Sequence, residues 1–199
     1  MGDTDDTGAG SRPCYERRML LHAALGTGLG LLLAEHTRAQ DIEPRHARPQ
    51  EGDRFVFATG DRKGATIMPV DLALGHAPVT AYPADPHTGV IRDGSRLNQI
   101  LLIHLDPAEL SEATRAHAPQ GIVAYSAFCT HEGCDVWLWQ AEGKTLKCPC
   151  HDSEFDPKDG ARVITGPAPR RLPTLPLKIV DGVLIAAGGF AGRVGFKQE

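Results

Sequence analysis

The sequence predicts a mainly β domain built from antiparallel sheets, with one short helix. Glycine and proline contribute 22 and 15 of the 199 residues, and this richness in turn formers is typical of short strands joined by tight loops. Short apolar runs bounded by Gly, Pro and Asp recur from Arg54 onward. The pair Asp181-Gly182 separates two such runs, which is the strongest short-range indication of a β-hairpin.

The first half of the domain contains two clear strand candidates. Arg54–Ala58 reads as a strand that ends in a polar, glycine-containing turn. Residues 69–95 are interrupted by four prolines and several glycines, so we expect mostly loop with one short strand. Gln99–Leu105 is a nearly continuous apolar run and predicts a strand.

A helix is predicted over Ala108–Ala118. Asp106-Pro107 precedes it, and proline suits the first turn of a helix because its missing N–H is not needed there. Glu109 and Glu112 place negative charge near the positive end of the helix dipole. Gly121–Tyr125 follows and is predicted to be a strand.

The remaining strands are predicted as two hairpins. Val136–Trp139 and Thr145–Lys147 flank a polar turn that contains Gly143. Leu177–Val180 and Val183–Ala186 flank the Asp-Gly pair. Trp137 and Trp139 alternate along one strand, so we expect both to face the core.

Residues 1–39 are predicted to be an export signal or a membrane anchor. Residues 19–34 carry no charge, but sixteen residues of helix rise only about 24 Å, less than the ~30 Å hydrocarbon core. This length favours a signal peptide over a permanent span. Arg17-Arg18 stands directly before the apolar run and resembles the twin-arginine export signal. Residues 40–52 are polar, contain two prolines and are predicted to be a linker to a domain over residues 53–199.

Cysteine and histidine residues concentrate in one short part of the chain. Six lie between positions 129 and 151, and they are Cys129, His131, Cys134, Cys148, Cys150 and His151. Residues 129–134 and residues 148–151 each contain one thiol and one imidazole that could be ligands, and each contains a second cysteine. One interpretation is a structural zinc site, which needs four such ligands. The other is a two-iron, two-sulfide cluster.

The two motifs C-T-H-E-G-C and C-P-C-H-D-S resemble the two boxes of the Rieske iron–sulfur proteins. The resemblance implies a Rieske fold with a small cluster-binding subdomain, whose loops span about residues 126–169. It implies a [2Fe–2S] cluster held by Cys129 and Cys148 on the buried iron and by His131 and His151 on the outer iron. It also implies a disulfide between Cys134 and Cys150.

Two further features follow from the same resemblance. Ser153 would donate a hydrogen bond to a bridging sulfide. Gly166-Pro167-Ala168-Pro169 would be the proline-containing third loop that covers the cluster. The disulfide requires an oxidising compartment, in agreement with an export signal.

Within the family, the chain is more similar to the arsenite oxidase small subunit than to the Rieske subunit of cytochrome bc complexes. Phe155 stands where bc-type proteins usually have Tyr, and Glu132 where they have an apolar Leu. A carboxylate at that position would be costly to desolvate in a quinol pocket. In contrast, Ser153 and the Gly-Pro-Ala-Pro loop are more similar to the bc-type proteins.

We therefore expect an exported, periplasmic electron-transfer subunit that has no catalytic residues of its own. It would take electrons from a larger redox subunit of the molybdenum-containing kind and pass them to a cytochrome c or similar acceptor. The alternative is the quinol-oxidising subunit of a membrane bc complex, with residues 19–34 retained as the anchor. A net charge of −4 gives no indication of nucleic-acid binding.

Overall fold

The computed structural model describes residues 43–196, so the predicted signal or anchor and residues 40–42 of the predicted linker lie outside the described residues. Ten strands and one α-helix occur in the described part, which confirms the mainly β class. The elements are β1 Arg54–Phe57, β2 Val79–Ala84, β3 Ile100–His104, α1 Glu112–Arg115, β4 Ile122–Ser126, β5 Leu138–Gln140, β6 Thr145–Lys147, β7 Glu154–Asp156, β8 Arg162–Thr165, β9 Leu177–Val180 and β10 Val183–Ala186. None of the helices within residues 43–196 has the length and apolar character needed to cross a bilayer.

The larger sheet is antiparallel, with strand order β4-β3-β2-β1-β10-β9. Its β9–β10 hairpin turns at Asp181 and Gly182, whose φ angles are 51° and 78°. Two consecutive residues with positive φ fit a type I′ turn, whose twist matches that of the flanking strands. Both strands have the predicted bounds.

The smaller sheet, with order β5-β6-β7-β8, carries the loop that contains Cys148 and Cys150. The sequence predicts its first hairpin, although β5 begins two residues later than expected. Strands β7 and β8 were not predicted, because they have only three and four residues and are separated by the turn Pro157–Asp159. Such short strands are defined by their partners rather than by their own periodicity.

The predicted helix over Ala108–Ala118 is shorter in the structure. A 3₁₀ turn spans Pro107–Glu109, and the chain is extended at Leu110 before α1 begins. Ser111 caps α1, because its side chain accepts a hydrogen bond from the Thr114 N–H. Its own N–H donates to the Lys158 carbonyl at 2.9 Å, a tertiary contact that a continuous helix would not make.

The predicted strand at this position is β3, and its apolar run is buried on both faces of the sheet. Ile100 and Leu102 point into a core formed mainly within the larger sheet. Leu101 and Ile103 point into a second core that also contains Cys129 and Cys148. The face of the larger sheet that carries these two side chains therefore supports the cysteine-containing loops.

A buried ion pair joins the start of the domain to the larger sheet. The Arg92 guanidinium donates to both carboxylate oxygens of Asp53, at 2.7 and 2.9 Å, and both side chains are at most 5% exposed. Asn98 is buried beside it and donates to the Ala47 and Arg92 carbonyls at 2.8 and 3.0 Å. Residues 43–52, part of the predicted linker, are thereby held against the sheet.

We expect Asp53→Ala to lower the free energy of unfolding by about 3–5 kcal/mol, because it leaves the Arg92 charge buried without a partner. Urea denaturation measures the change. Asp93→Ala is the matched control, since it removes a carboxylate from the exposed pair with Arg45 and should have a much smaller effect. Equal losses in the two variants would contradict a special role for the buried pair.

Candidate metal centre

The first cysteine-containing loop follows β4 and is closed by its own backbone. The Cys129 N–H donates to the Cys134 carbonyl at 2.8 Å, and the Gly133 N–H donates to the Cys129 carbonyl at 3.1 Å. Gly133 has φ +75°, and a Cβ there would lie 2.7 Å from the Phe196 ring. The positive φ favours glycine at this position, and the absence of a side chain leaves room for the Phe196 ring.

The second loop connects β6 to β7 and is closed in the same way. The Cys148 N–H donates to the Ser153 carbonyl at 2.9 Å, and the Asp152 N–H donates to the Cys148 carbonyl at 3.1 Å. Cys134 and Cys150 form a disulfide bond between the two loops. The two sequence boxes thus meet as a pair of similar loops that are covalently joined.

A third loop, formed by residues 166–169, packs on the second. The Ala168 N–H donates to Ser153 Oγ at 3.1 Å. Gly166 lies against the backbone of Ser153 with φ +91°. Thr130 of the first loop donates from its hydroxyl to the Arg170 carbonyl just after the third loop. All three loops therefore support one another.

The side chains between these loops offer four donor groups. Cys129 and Cys148 are buried and have free thiols. The rings of His131 and His151 lie edge to face with centroids 4.7 Å apart. His131 Nδ1 is buried and has no hydrogen-bond partner among residues 43–196, and such an atom is suited to bind a metal because a buried polar group is normally satisfied. Two thiols and two imidazoles suit a Rieske-type cluster.

The Cys129 thiol is buried between the loops. Burial raises the pKa of Cys129 to about 11, although hydrogen bonds from the His131 backbone N–H and from Ser153 oppose the increase. Metals bind the thiolate, so binding must release the proton of this thiol.

The two imidazoles differ in their exposure. His131 is partly buried, whereas the His151 side chain is 47% exposed. Glu132 is exposed beside it, with a carboxylate oxygen 3.8 Å from His151 Nε2. One imidazole edge of the site is therefore open to an approaching partner.

The aromatic residues near the loops divide into buried and exposed. Phe155 is completely buried, in the same core as Cys129 and Cys148. Trp139 packs partly against that core. Trp137 is 62% exposed, contrary to the expectation that both tryptophans face inward. Trp137 lies just before β5 begins, where the alternation of a paired strand does not yet apply.

Comparison with known proteins assigns the family. The model of the Rieske [2Fe–2S] domain matches residues 110–176, which include all three loops. A cytochrome bc1 complex Rieske iron–sulfur subunit of Streptomyces lividans is 43% identical over 133 residues, covering 65% of this chain and 78% of the relative. The chain belongs to the Rieske [2Fe–2S] family. A Rieske-type [2Fe–2S] cluster is accordingly its cofactor, and the zinc interpretation is not supported.

Other Rieske proteins are similar over more of the chain. A protein of Haloferax mediterranei, named as a respiratory nitrate reductase Rieske subunit, is 36% identical over 77% of this chain and 66% of its own length. A cytochrome bc1 complex Rieske subunit of Streptomyces coelicolor is 43% identical over 90% of this chain and 52% of its own length. The chain thus spans between half and two thirds of these two relatives.

Some residues that shape the site were not predicted from the sequence. The contact of Phe196 with Gly133 and the hydrogen bond from Thr130 to Arg170 join segments that are far apart in the chain. Gly133 is the sequence signal that could have indicated the first of these contacts, since glycine is suited to a position where another group approaches the backbone closely.

Removal of the disulfide by the double substitution Cys134→Ser and Cys150→Ser should leave all four donor groups in place but loosen the loops. The bond closes a loop of 16 residues, for which the chain-entropy model gives about 3 kcal/mol. We expect a lower melting temperature and faster iron loss, monitored by visible absorbance. A reducing agent should produce the same changes in the unsubstituted protein but none in the double variant. A variant as stable as the unsubstituted protein would contradict this role.

Proposed function

We propose that Cys129 and Cys148 hold one iron of the cluster as thiolates, and that His131 and His151 hold the other through their imidazoles. The convergence of two buried free thiols with the unpartnered His131 Nδ1 supports this assignment. We also propose that the Ser153 hydroxyl, which accepts a hydrogen bond from Ala168, donates its own proton toward a sulfur of the centre.

The bound cluster supplies reversible transfer of one electron. An imidazole is neutral whereas a thiolate carries a negative charge, so His131 and His151 make the ligand set less negative than four cysteines would. A less negative site accepts an electron more readily, and the potential lies in the band of about −150 to +300 mV, against about −400 mV for plant-type ferredoxins. Phe155 lies in the buried core with the two thiols and keeps water away from the thiol side of the site.

We propose that the chain is an exported, periplasmic one-electron carrier. In this proposal it receives electrons from a larger catalytic subunit, which we expect to contain molybdenum, and delivers them to a cytochrome c or similar acceptor. The names of its relatives support a role in a respiratory complex, since they are subunits of a nitrate reductase and of bc1 complexes. The exposed edge of His151 offers a short path for the electron to a docked partner.

A second candidate is quinol oxidation within a bc complex. The 43% identity to bc1 Rieske subunits favours it, whereas the exposed carboxylate of Glu132 beside His151 disfavours an apolar quinol pocket. The N-terminal sequence of the mature protein separates the two. A start near Gln40 supports the carrier, and retention of residues 19–34 supports the membrane complex. Metal analysis of whatever co-purifies from the native periplasm then tests for a molybdenum partner.

Export is tested by replacing Arg17 and Arg18 with Lys. If the pair is a twin-arginine signal, the variant should stay in the cytoplasm, because that route reads the arginines themselves and carries folded protein. The measurement is the periplasmic fraction of the protein, with Arg12→Lys as the control that should export normally. Unchanged export of the double variant would exclude the twin-arginine signal.

A further inference from the structure

A groove of about 660 Å³ lies behind the first cysteine-containing loop. Four parts of the chain form it, namely the segment before β1, the turn before β3, the start of the first cysteine-containing loop after β4 and the segment after β10. The side chains that define it are Arg48, Leu97, Phe128, Phe190, Arg193 and Phe196. The groove therefore combines an aromatic and aliphatic lining with two guanidinium groups.

The two cations are available to a ligand. Within residues 43–196, neither Arg48 nor Arg193 forms an ion pair with a carboxylate. Arg48 is oriented by a hydrogen bond from its Nη1 to Oδ1 of the buried Asn98 at 3.4 Å. The backbone around Arg193 is held by Arg170, which donates to the Arg193 carbonyl at 2.6 Å and also to the Gly195 carbonyl. These bonds orient Arg48 and hold the backbone on the Arg193 side of the groove, which reduces the entropic penalty of binding.

The groove is also in contact with the metal centre. Phe128 immediately precedes Cys129 in the chain. Phe196 lies against Gly133 of the C-T-H-E-G-C box. Arg96 stacks on the Phe128 ring with its guanidinium carbon 4.8 Å from the centroid. A ligand in the groove would touch side chains that pack on the first loop.

We propose that this groove docks a segment of the electron-transfer partner that carries acidic side chains next to aromatic or aliphatic ones. The inference rests on the proposed function, since it concerns the partner of the same Rieske centre. Charge complementarity selects the acidic groups, because each guanidinium can bind a carboxylate through paired hydrogen bonds. The aromatic lining selects the apolar neighbours, and aromatic and Arg side chains are the residues that contribute most to protein interfaces.

The test uses the full chain with its cluster and two dansyl-labelled peptides, Asp-Phe-Glu-Phe and its uncharged counterpart Asn-Phe-Gln-Phe. Fluorescence anisotropy measures both affinities at low salt. We expect the acidic peptide to bind about tenfold more tightly. Arg193→Gln should reduce this preference to about twofold or less. Arg54→Gln, which removes an exposed cation of β1 outside the groove, should leave it unchanged.

Equal affinity for the two peptides would overturn the proposal. The proposal would also be overturned if Arg54→Gln reduced the preference as much as Arg193→Gln, because that result would indicate non-specific attraction. Binding to phosphatidylglycerol vesicles without binding of the acidic peptide would overturn it as well, because it would indicate that the groove binds an anionic membrane surface. Visible absorbance separates failure of docking from failure of the proposed function. An Arg193→Gln protein with the normal cluster spectrum and no peptide preference supports docking, whereas its loss of the cluster would show a structural role instead.

Discussion

Replacing Cys148 by Ser should give a folded protein that contains no iron–sulfur cluster. Cys148 is buried, with its thiol free, at the start of the second loop. Serine has nearly the same size but remains a neutral alcohol near neutral pH, so it provides neither the negative charge nor the soft sulfur that iron–sulfur clusters bind. The disulfide between the loops remains and should keep the domain folded. Visible absorbance and iron analysis measure the loss, and circular dichroism reports on the fold.

Ser153→Ala is the matched control for this substitution, because it alters the same loop without removing a proposed ligand. We expect it to keep the cluster and to lower the potential, since a hydrogen bond to sulfur stabilises the reduced, more negative state. If about 1 kcal/mol of that bond differs between oxidation states, the shift is about 40 mV. A Cys148→Ser protein with a full iron content and unchanged spectrum would contradict the ligand assignment.

Gly166→Ala should be among the most destabilising single changes in the cluster-binding part of the chain. A Cβ at this position would lie 2.5 Å from the Ser153 Cα and 2.8 Å from its backbone nitrogen. Neither atom can move without displacing the second cysteine-containing loop. The positive φ adds strain of about 1 kcal/mol, and the clash adds about 1–3 kcal/mol. We expect a loss of about 2–4 kcal/mol in the free energy of unfolding, together with faster release of iron.

Gly182→Ala separates the backbone strain of a positive φ from the steric clash of the added Cβ. Gly182 has a similar φ of +78°, but a Cβ there would meet no atom within 4 Å. This variant should therefore lose only about 1 kcal/mol and should keep its cluster as long as the unsubstituted protein does. Urea denaturation and the rate of absorbance loss give both quantities. Equal behaviour of the two variants would mean that the third loop does not press on the second.

The sequence predicted those parts of the fold whose structure is decided locally. The β9–β10 hairpin was predicted with its bounds because two residues with positive φ are specified by Asp181-Gly182 itself. The helix after Pro107 was predicted too long because its interruption depends on the contact of Ser111 with Lys158. Strands β7 and β8 were missed because they are short and depend on tertiary pairing.

The same distinction applies to the site. Its proposed ligands fall in two compact boxes, so their chemistry could be interpreted without knowledge of the fold. The packing around these ligands could not be predicted from the sequence, because the Phe196 ring that lies against Gly133 comes from the other end of the domain. The exposure of Trp137 depends on where β5 begins, which alternation alone does not determine.

In the proposed assignment, two imidazoles and two thiolates of this chain hold the cluster. Electron spin-echo envelope modulation on the reduced protein, labelled with ¹⁵N only in histidine, detects the imidazole ligands. We expect coupling from two histidine nitrogens, and His131→Ala and His151→Ala should each abolish this spectrum. The absence of any histidine coupling in an intact, paramagnetic cluster would exclude His131 and His151 as ligands.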